Sequence, residues 1–347
     1  VSFRYNTTSA YSQNIVSLRG RGIGLKKKSL PYRSYSDYLQ EKFGTRVHKI
    51  TVDAGFTCPN RDGSQAYGGC TYCDNASFSP QVRYDETESV ENQLKKGIQY
   101  VGNLTGVSQF IAYFQAFTNT YATPIRLKQI YDQCLMPSIV GLAIGTRPDC
   151  LSREIVEVLD RYTQYFPVWL ELGLQTIHEE THRKTNRWQK TEDFYRALDL
   201  LAHTSLEVSV HLILGLPGET WEMMMETATA VTNEPLIQGA KIHHLYVSPH
   251  SIMEKQWKDG KIKLFSLEEY VSLLVDFMER LPPHLVIERL MGELSKKYAL
   301  APQWGLSKAQ ILVKIVEEFQ RRQSYQGFRV TSPLPAPQAV SPTKILS

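Results

Sequence analysis

Cys58-Pro-Asn-Arg-Asp-Gly-Ser-Gln-Ala-Tyr-Gly-Gly-Cys70-Thr-Tyr-Cys73 carries three of the five cysteines in a chain of 347 residues. Between the cysteines, Asn60, Asp62, Gly63, Ser64, Gly68 and Gly69 argue against helix and strand and predict a loop. Just upstream, Lys49-Ile-Thr-Val-Asp53 has the alternation and β-branching of a strand. A strand feeding a loop that converges three thiolates reads as a metal or iron–sulfur site. Gly68 and Gly69 give the backbone the freedom to fold back, so that Cys70 can meet Cys58.

Three thiolates fall short of a structural zinc site, which takes four N or S ligands. His48, on the strand ahead of the loop, is the nearby imidazole. A [4Fe–4S] cubane held by three thiolates keeps one iron open to an outside ligand, an arrangement suited to catalysis. A zinc knuckle that borrows a distant ligand and a set of unliganded thiols are the competing readings. Cys134 and Cys150 read as buried thiols.

The loop resembles the cluster motif of the radical S-adenosylmethionine (SAM) superfamily in a long-spaced form. Gly141-Leu-Ala-Ile-Gly-Thr-Arg-Pro-Asp149, Leu170-Glu-Leu-Gly-Leu-Gln175 and His211-Leu-Ile-Leu-Gly-Leu-Pro-Gly-Glu219 follow in the right order. These stretches resemble the branch that contains the elongator catalytic subunit and oxygen-independent coproporphyrinogen oxidase. Tyr35-Ser-Asp-Tyr-Leu39, Asp53-Ala-Gly-Phe-Thr-Cys-Pro-Asn-Arg-Asp-Gly63 and Phe114-Gln-Ala-Phe-Thr-Asn-Thr-Tyr-Ala122 resemble a bacterial subgroup linked to wobble-uridine modification in tRNA. The match covers about residues 31–327.

The resemblance implies an α/β fold, a partial (β/α)6 TIM-like barrel, with a [4Fe–4S] cluster on Cys58, Cys70 and Cys73. It implies reductive cleavage of SAM to a 5′-deoxyadenosyl radical. The implied substrate is the C5 side chain of a tRNA wobble uridine, converted from carboxymethylaminomethyl toward aminomethyl. An electron donor and a downstream methyltransferase are the implied partners. Tyr72 would lie near the adenine, and Arg147 would hold the SAM carboxylate, with a salt bridge to Asp149 or Glu171 as its competing role. Phe114-Gln-Ala-Phe117 stands where relatives have a Gly-Gly-Glu-like turn for the SAM amino group. Both glycines are missing, which passes that task to backbone carbonyls or to Gln115, Thr118 and Asn119. Glu171 and Gln175 would reach ribose hydroxyls or substrate, while Ile213 and Gly215 would pack along the adenine. Ser248-Pro-His-Ser251 departs from the Lys-Gly-Thr-like segment of the relatives. A radical SAM enzyme acting on a small metabolite and a non-catalytic metal-binding module are the alternatives.

The net charge of +4 permits a nucleic-acid partner without demanding one. No apolar run reaches membrane-spanning length. Five unevenly placed cysteines argue for a reducing compartment, cytoplasmic or organellar, over a secreted disulfide framework. Residues 1–30 read as a disordered basic arm or a transit leader. The barrel core is expected over 31–290, a helical extension over 291–327 and a disordered Pro-rich tail or linker over 328–347.

Apolar runs predict strands at Lys49–Asp53, Phe110–Phe114, Gly141–Ile144, Val168–Leu172, Val208–Leu214 and Ile242–Val247. Helical stretches lie between them, as parallel βαβ units require. Ligands in such folds bind at the carboxyl ends of the strands.

His178-Glu-Glu-Thr-His182 satisfies the zinc-protease pattern, but Arg183, Lys184, Arg187 and Lys190 follow it and predict a solvated helix. Cations interleave with an aromatic ring in His182-Arg-Lys-Thr-Asn-Arg-Trp188. They do so again around Ser295-Lys-Lys-Tyr298, Trp304, Lys308, Arg321 and Arg322. Both patterns suit an unstacked RNA base or ordinary solvated charge. His243 and His244 end the sixth strand, placed to face substrate or to pack.

Overall fold

The computed structural model describes residues 30–74, 88–249, 251–292 and 299–330. Its strands are β1 (Val47–Val52), β2 (Gln109–Phe114), β3 (Ile139–Thr146), β4 (Val168–Gln175), β5 (Glu207–Leu214), β6 (Ile237–His244) and β7 (Val286–Arg289). They lie side by side in chain order, every neighbouring pair parallel, and the sheet curls into a half-barrel. Parallel neighbours need long crossovers. Helices fill them: α2 (Val90–Thr105), α3 (Pro124–Tyr131), α4 (Arg153–Asp160), α5 (Glu179–Lys184), α6 (Thr191–Leu201), α7 (Trp221–Thr232), α8 (Ile252–Lys258) and α9 (Leu267–Met278). Before β1 runs α1 (Tyr35–Phe43), and after β7 comes α10 (Lys308–Arg322).

The helix starts are written locally. Ser89, Thr123, Ser152, Thr220, Ser266 and Ser307 each cap an amino terminus by accepting from the backbone N–H three residues on. Arg322, at the end of α10, donates to Asp276 of α9 at 2.7 Å, so the helical extension docks against the barrel.

Alternation along the strands sorts side chains between two faces. Ile50, Val52, Phe110, Phe114, Leu142, Ile144, Leu170, Leu172, Val208, Val210 and Ile242 join the main core beneath the helices. The concave face is layered differently. At the amino-terminal end, Ile111, Tyr113, Ala143 and Trp169 pack against Leu39, Tyr35, Tyr38 and Phe43 of α1, which plugs that end. Above the plug sits a charged layer. Glu171 accepts from Lys49 at 2.9 Å, from His211 at 2.9 Å and from Lys241. Glu288 lies 3.2 Å from Lys49 and 3.5 Å from Lys241, and accepts from Ser209.

Two expectations are corrected here. Among the described residues the sheet has seven strands, not six, and β6 spans Ile237–His244 instead of Ile242–Val247. Lys241 in β6 and Glu288 in β7 point into the charged layer, so neither strand presents an unbroken apolar run. Residues 1–29 and 331–347 lie outside the described residues, as does Ser295–Tyr298. Among the described residues no helix is long and apolar enough to cross a membrane.

Candidate active site

A cavity with about 1080 Å³ of empty space, its open mouth included, lies at the carboxyl ends of the strands. Cys58, Cys70 and Cys73 line it, together with Tyr72, Gln115, Arg147, Glu171, Gln175 and Ile213. The topology has therefore gathered these nine residues around one space. Gly215 does not line it. Its φ of +90° and a Cβ position 2.6 Å from the Phe265 ring explain the glycine by backbone and packing.

The cysteine loop is held from several sides. Gly68 and Gly69 both take φ of +82°, the turn-back that only glycine adopts without strain. The loop then docks on the segment after α5. Thr71 N–H donates to the Thr185 carbonyl at 2.9 Å, and the Asn186 amide donates to the carbonyls of Tyr67 and Gly69, each at 2.9 Å. Asn60 returns a hydrogen bond to the Asn186 carbonyl.

That segment also delivers a cation which sequence reasoning left on the surface. Arg187 is buried, 6 % exposed, and its guanidinium lies 3.9 Å from Cys70 Sγ and 3.5 Å from the Tyr72 hydroxyl. It donates to the Gly173 carbonyl and at 2.8 Å to Gln189. Gly173 makes the room, since a Cβ there would stand 2.9 Å from Arg187 Nη2. Burial opposes the charge, yet Tyr72, Cys70 and Asp149 hold the guanidinium on. The sequence carried no signal for this, because Arg187 sits among cations that do face water.

Electrostatics sets what the thiols need. Burial, and then the neighbouring Cys70 and Cys58, push the Cys73 thiol up to about 12. Thiolates gathered here require a compensating cation or metal centre. No three His, Cys, Asp or Glu side chains among the described residues converge on a single metal ion. His48 stands on β1 and is not among the cavity-lining residues.

Arg147 makes a two-pronged contact with Asp149, Nε to Oδ1 at 2.8 Å and Nη2 to Oδ2 at 2.6 Å, in addition to Gln65 at 2.9 Å. The salt bridge to Asp149 thus forms, while Arg147 Nη1 stays buried without a partner. Glu171 is committed to the charged layer beneath the cavity, where it meets Lys49, Lys241 and His211. Asn119 ties strand ends together, donating to the carbonyls of Phe114 at 3.2 Å and Gly145 at 2.7 Å. Thr118 lines the cavity. Gln115 and Gln175 also face it, and neither side chain has a partner among the described residues. Gln175 holds a φ of +69°, a left-handed conformation seldom seen outside glycine.

The histidines separate clearly. His182 is buried, and both ring nitrogens face backbone carbonyls, Gln189 at 2.7 Å and Leu174 at 3.2 Å. Burial, with Arg187 beside it, lowers its pKa to about 4. His178 pairs with the Met223 carbonyl at 2.8 Å. The zinc-protease arrangement is absent among these residues, and α5 is not wholly solvated, because Thr181 and His182 are buried. His244 packs 4.4 Å from the Trp304 ring, whereas His243 turns toward His211, ring centroids 6.0 Å apart.

Comparison with known proteins agrees with this geometry. The profile described as the Radical SAM superfamily matches residues 58–231, which includes all three cysteines, and the Radical_SAM C-terminal domain matches residues 237–321. The Bacillus subtilis protein YtqA is 37% identical over 297 residues, 85% of this chain and 92% of that protein. The tRNA uridine(34) acetyltransferase of Dehalococcoides mccartyi is 26% identical over 212 residues, 60% of this chain and 45% of its own length. Among solved structures, Methanocaldococcus infernus Elp3 lacking its N-terminus shares the fold with a TM-score of 0.59 at 18% identity. The match covers 81% of this chain and 64% of that one. With the cysteine loop at the mouth of a half-barrel and both profiles matched in order, the chain belongs to the radical SAM superfamily.

Proposed function

We propose that this radical SAM enzyme modifies the C5 side chain of a tRNA wobble uridine, in the direction carboxymethylaminomethyl to aminomethyl. The observation that carries the reading is a pair of exposed aromatic rings on the segments that deliver Cys70 and Arg187 to the cavity. Tyr67 and Trp188 are 77% and 50% exposed, and each is a near neighbour in sequence of cavity-lining residues, Tyr67 of Gly69 and Cys70 in the cysteine loop and Trp188 of Arg187. Trp188 takes a φ of +55° and donates to Asn186 Oδ1 at 2.8 Å, which fixes the exposed indole. Exposed aromatic faces with Arg183, Lys184 and Lys190 close in sequence suit an unstacked base and its phosphates. The relative named a tRNA uridine(34) acetyltransferase supports the same substrate class.

The residues present fit the cofactors that the family implies. Cys58, Cys70 and Cys73 would hold a [4Fe–4S] cluster, and SAM would lie against Tyr72, Gln115, Arg147, Gln175 and Ile213. The unpartnered Arg147 Nη1 and the free amides of Gln115 and Gln175 are the polar groups left for it. When bound, the cluster supplies an electron and SAM the carbon–sulfur bond that the electron breaks. The chain's own part is to bind, orient and exclude water. Arg187 offsets the thiolate charge beside Cys70. Replacing Arg187 with Met is expected to weaken retention of the cluster by about 10–100-fold, read as iron bound after gel filtration.

Anaerobic reconstitution followed by incubation with SAM, dithionite and undermodified tRNA tests the function. Expected are deoxyadenosine and a mass change confined to the wobble nucleoside. Deoxyadenosine without any tRNA product would replace the substrate with a small metabolite. Trp188→Ala should raise the KM for tRNA by roughly tenfold, the worth of one stacked base. Its deoxyadenosine yield without RNA should stay at the parent level.

A further inference from the structure

His211, His243 and His244 all line the cavity. His211 belongs to the charged layer: it is the register partner of Lys241, and its Nε2 meets Glu171 at 2.9 Å. His244 sets its ring against Trp304 and Tyr270, and its Nδ1 accepts from the Gly292 N–H at 3.3 Å. His243 differs from both, because neither of its ring nitrogens has a hydrogen bond among the described residues.

The strand explains where it stands. Residues two apart share a face, so β6 carries Lys241 in the charged layer and His243 one step nearer the carboxyl ends of the strands. There His243 is level with Ile213 of β5, which also lines the cavity. The ring is half-buried, and its centroid lies 6.0 Å from that of His211. Burial, then Arg289, with His211, Lys241 and His244 adding to it, hold His243 well below its usual range, so the ring is neutral near pH 7. A neutral imidazole offers one N–H and one lone pair. Polar groups withdrawn from water are normally satisfied, and an imidazole left open on a cavity wall points to a ligand. Arg147 and Arg187, also on that wall, can only donate, and Glu171 is spent on its cations. Apart from the amide oxygens of Gln115 and Gln175, a ligand group that itself donates is left with His243.

We infer that His243 is a recognition residue for an N–H donor of the substrate, the secondary amine of the C5 side chain. The inference rests on the reading above, in which that amine carries the carbon fragment to be removed. A neutral imidazole accepts from an amine N–H whether or not the amine is protonated. The uracil N3–H offers the same donor chemistry. We assign the amine because the arm extending from C5 enters further than the ring that bears it.

The test uses reconstituted holoenzyme saturated with SAM. Binding of 5-methylaminomethyluridine and 5-methoxymethyluridine, which replaces the amine by an ether oxygen of similar shape, is compared in the parent enzyme, His243→Phe and His243→Gln. The parent is expected to prefer the amine by about fivefold, the worth of one net hydrogen bond. His243→Phe should bind the two alike, and His243→Gln, whose amide oxygen accepts, should recover part of the preference, which a folding defect would not do. No preference in the parent, or a preference retained in His243→Phe, would overturn the assignment. A matching loss of SAM affinity in His243→Phe would overturn it in favour of a contact to the cofactor. A His243-dependent loss on methylating N3 of the uracil, with the amine making no difference, would overturn it in favour of the base. Repeating the comparison with N-methylbenzylamine and benzyl methyl ether removes the nucleobase. A His243-dependent preference in that pair, with no tRNA product from the parent, supports the subsite while the tRNA reading falls. A tRNA product without any such preference leaves the tRNA reading standing and removes the inference.

Discussion

Cys70→Ala is expected to abolish both the brown chromophore of anaerobically reconstituted protein and deoxyadenosine formation. Cys70 is the buried member of the trio, 8 % exposed, between Asn60 at 3.5 Å and Arg187 at 3.9 Å. Two remaining thiols cannot hold a cubane through three corners. The matched control is Cys134→Ala. Cys134 is fully buried under the helices, remote from the cavity lining, and behaves as a small apolar residue. That variant should keep its iron and its activity. Iron content, absorbance and chromatography of deoxyadenosine on the same samples decide the matter. A Cys70→Ala protein that stays brown and active would remove the three-thiolate site.

Glu171→Gln should destabilise the protein by about 3 kcal/mol or more, because breaking a buried ion network strands its remaining charges. Its carboxylate is completely buried and holds Lys49, Lys241 and His211 together. Burial would raise its pKa, but Lys241 and Lys49 hold it well below the usual carboxylate range. Glu288 is lowered for the same reason, against burial, by Lys49 and Lys241. A carboxyl whose folded pKa is depressed stabilises the fold above its unfolded pKa, and that contribution is lost as pH falls toward the folded value. Stability should therefore drop as pH descends below about 4.5. The drop should be shallower in Glu171→Gln, since one of the two depressed carboxyls is gone. Urea midpoints measured from pH 7 to pH 3 test both statements. Equal midpoints for parent and variant at neutral pH would show that the layer does not bind the barrel together.

What could be read from the sequence follows a physical line. The cysteine loop was legible because its information is local: three thiols, turn residues and two glycines within one short run. Strands β2 through β5 were legible because their helix-facing residues are apolar and continuous with apolar flanks. Strands β6 and β7 were obscured by Lys241 and Glu288, whose charges answer residues more than a hundred positions away or on other strands. Hydropathy registers the charge and not the partner. Arg187 was misread for the related reason that a run of cations looks solvated until the chain folds one of them inward. For Arg147 the competing bridge to Asp149 is the one that forms, and one guanidinium nitrogen is left without a partner.

The charged layer also constrains how this protein can diverge. Lys49, Glu171, Lys241 and Glu288 come from four different strands, and each leans on at least two others. Exchanging one alone strands an ion, whereas exchanging a matched set for apolar residues of similar volume need not harm the fold. Piecemeal drift at these four positions is therefore penalised, and substitutions there have to travel in company. Homologues that lack one member should lack its counterpart as well.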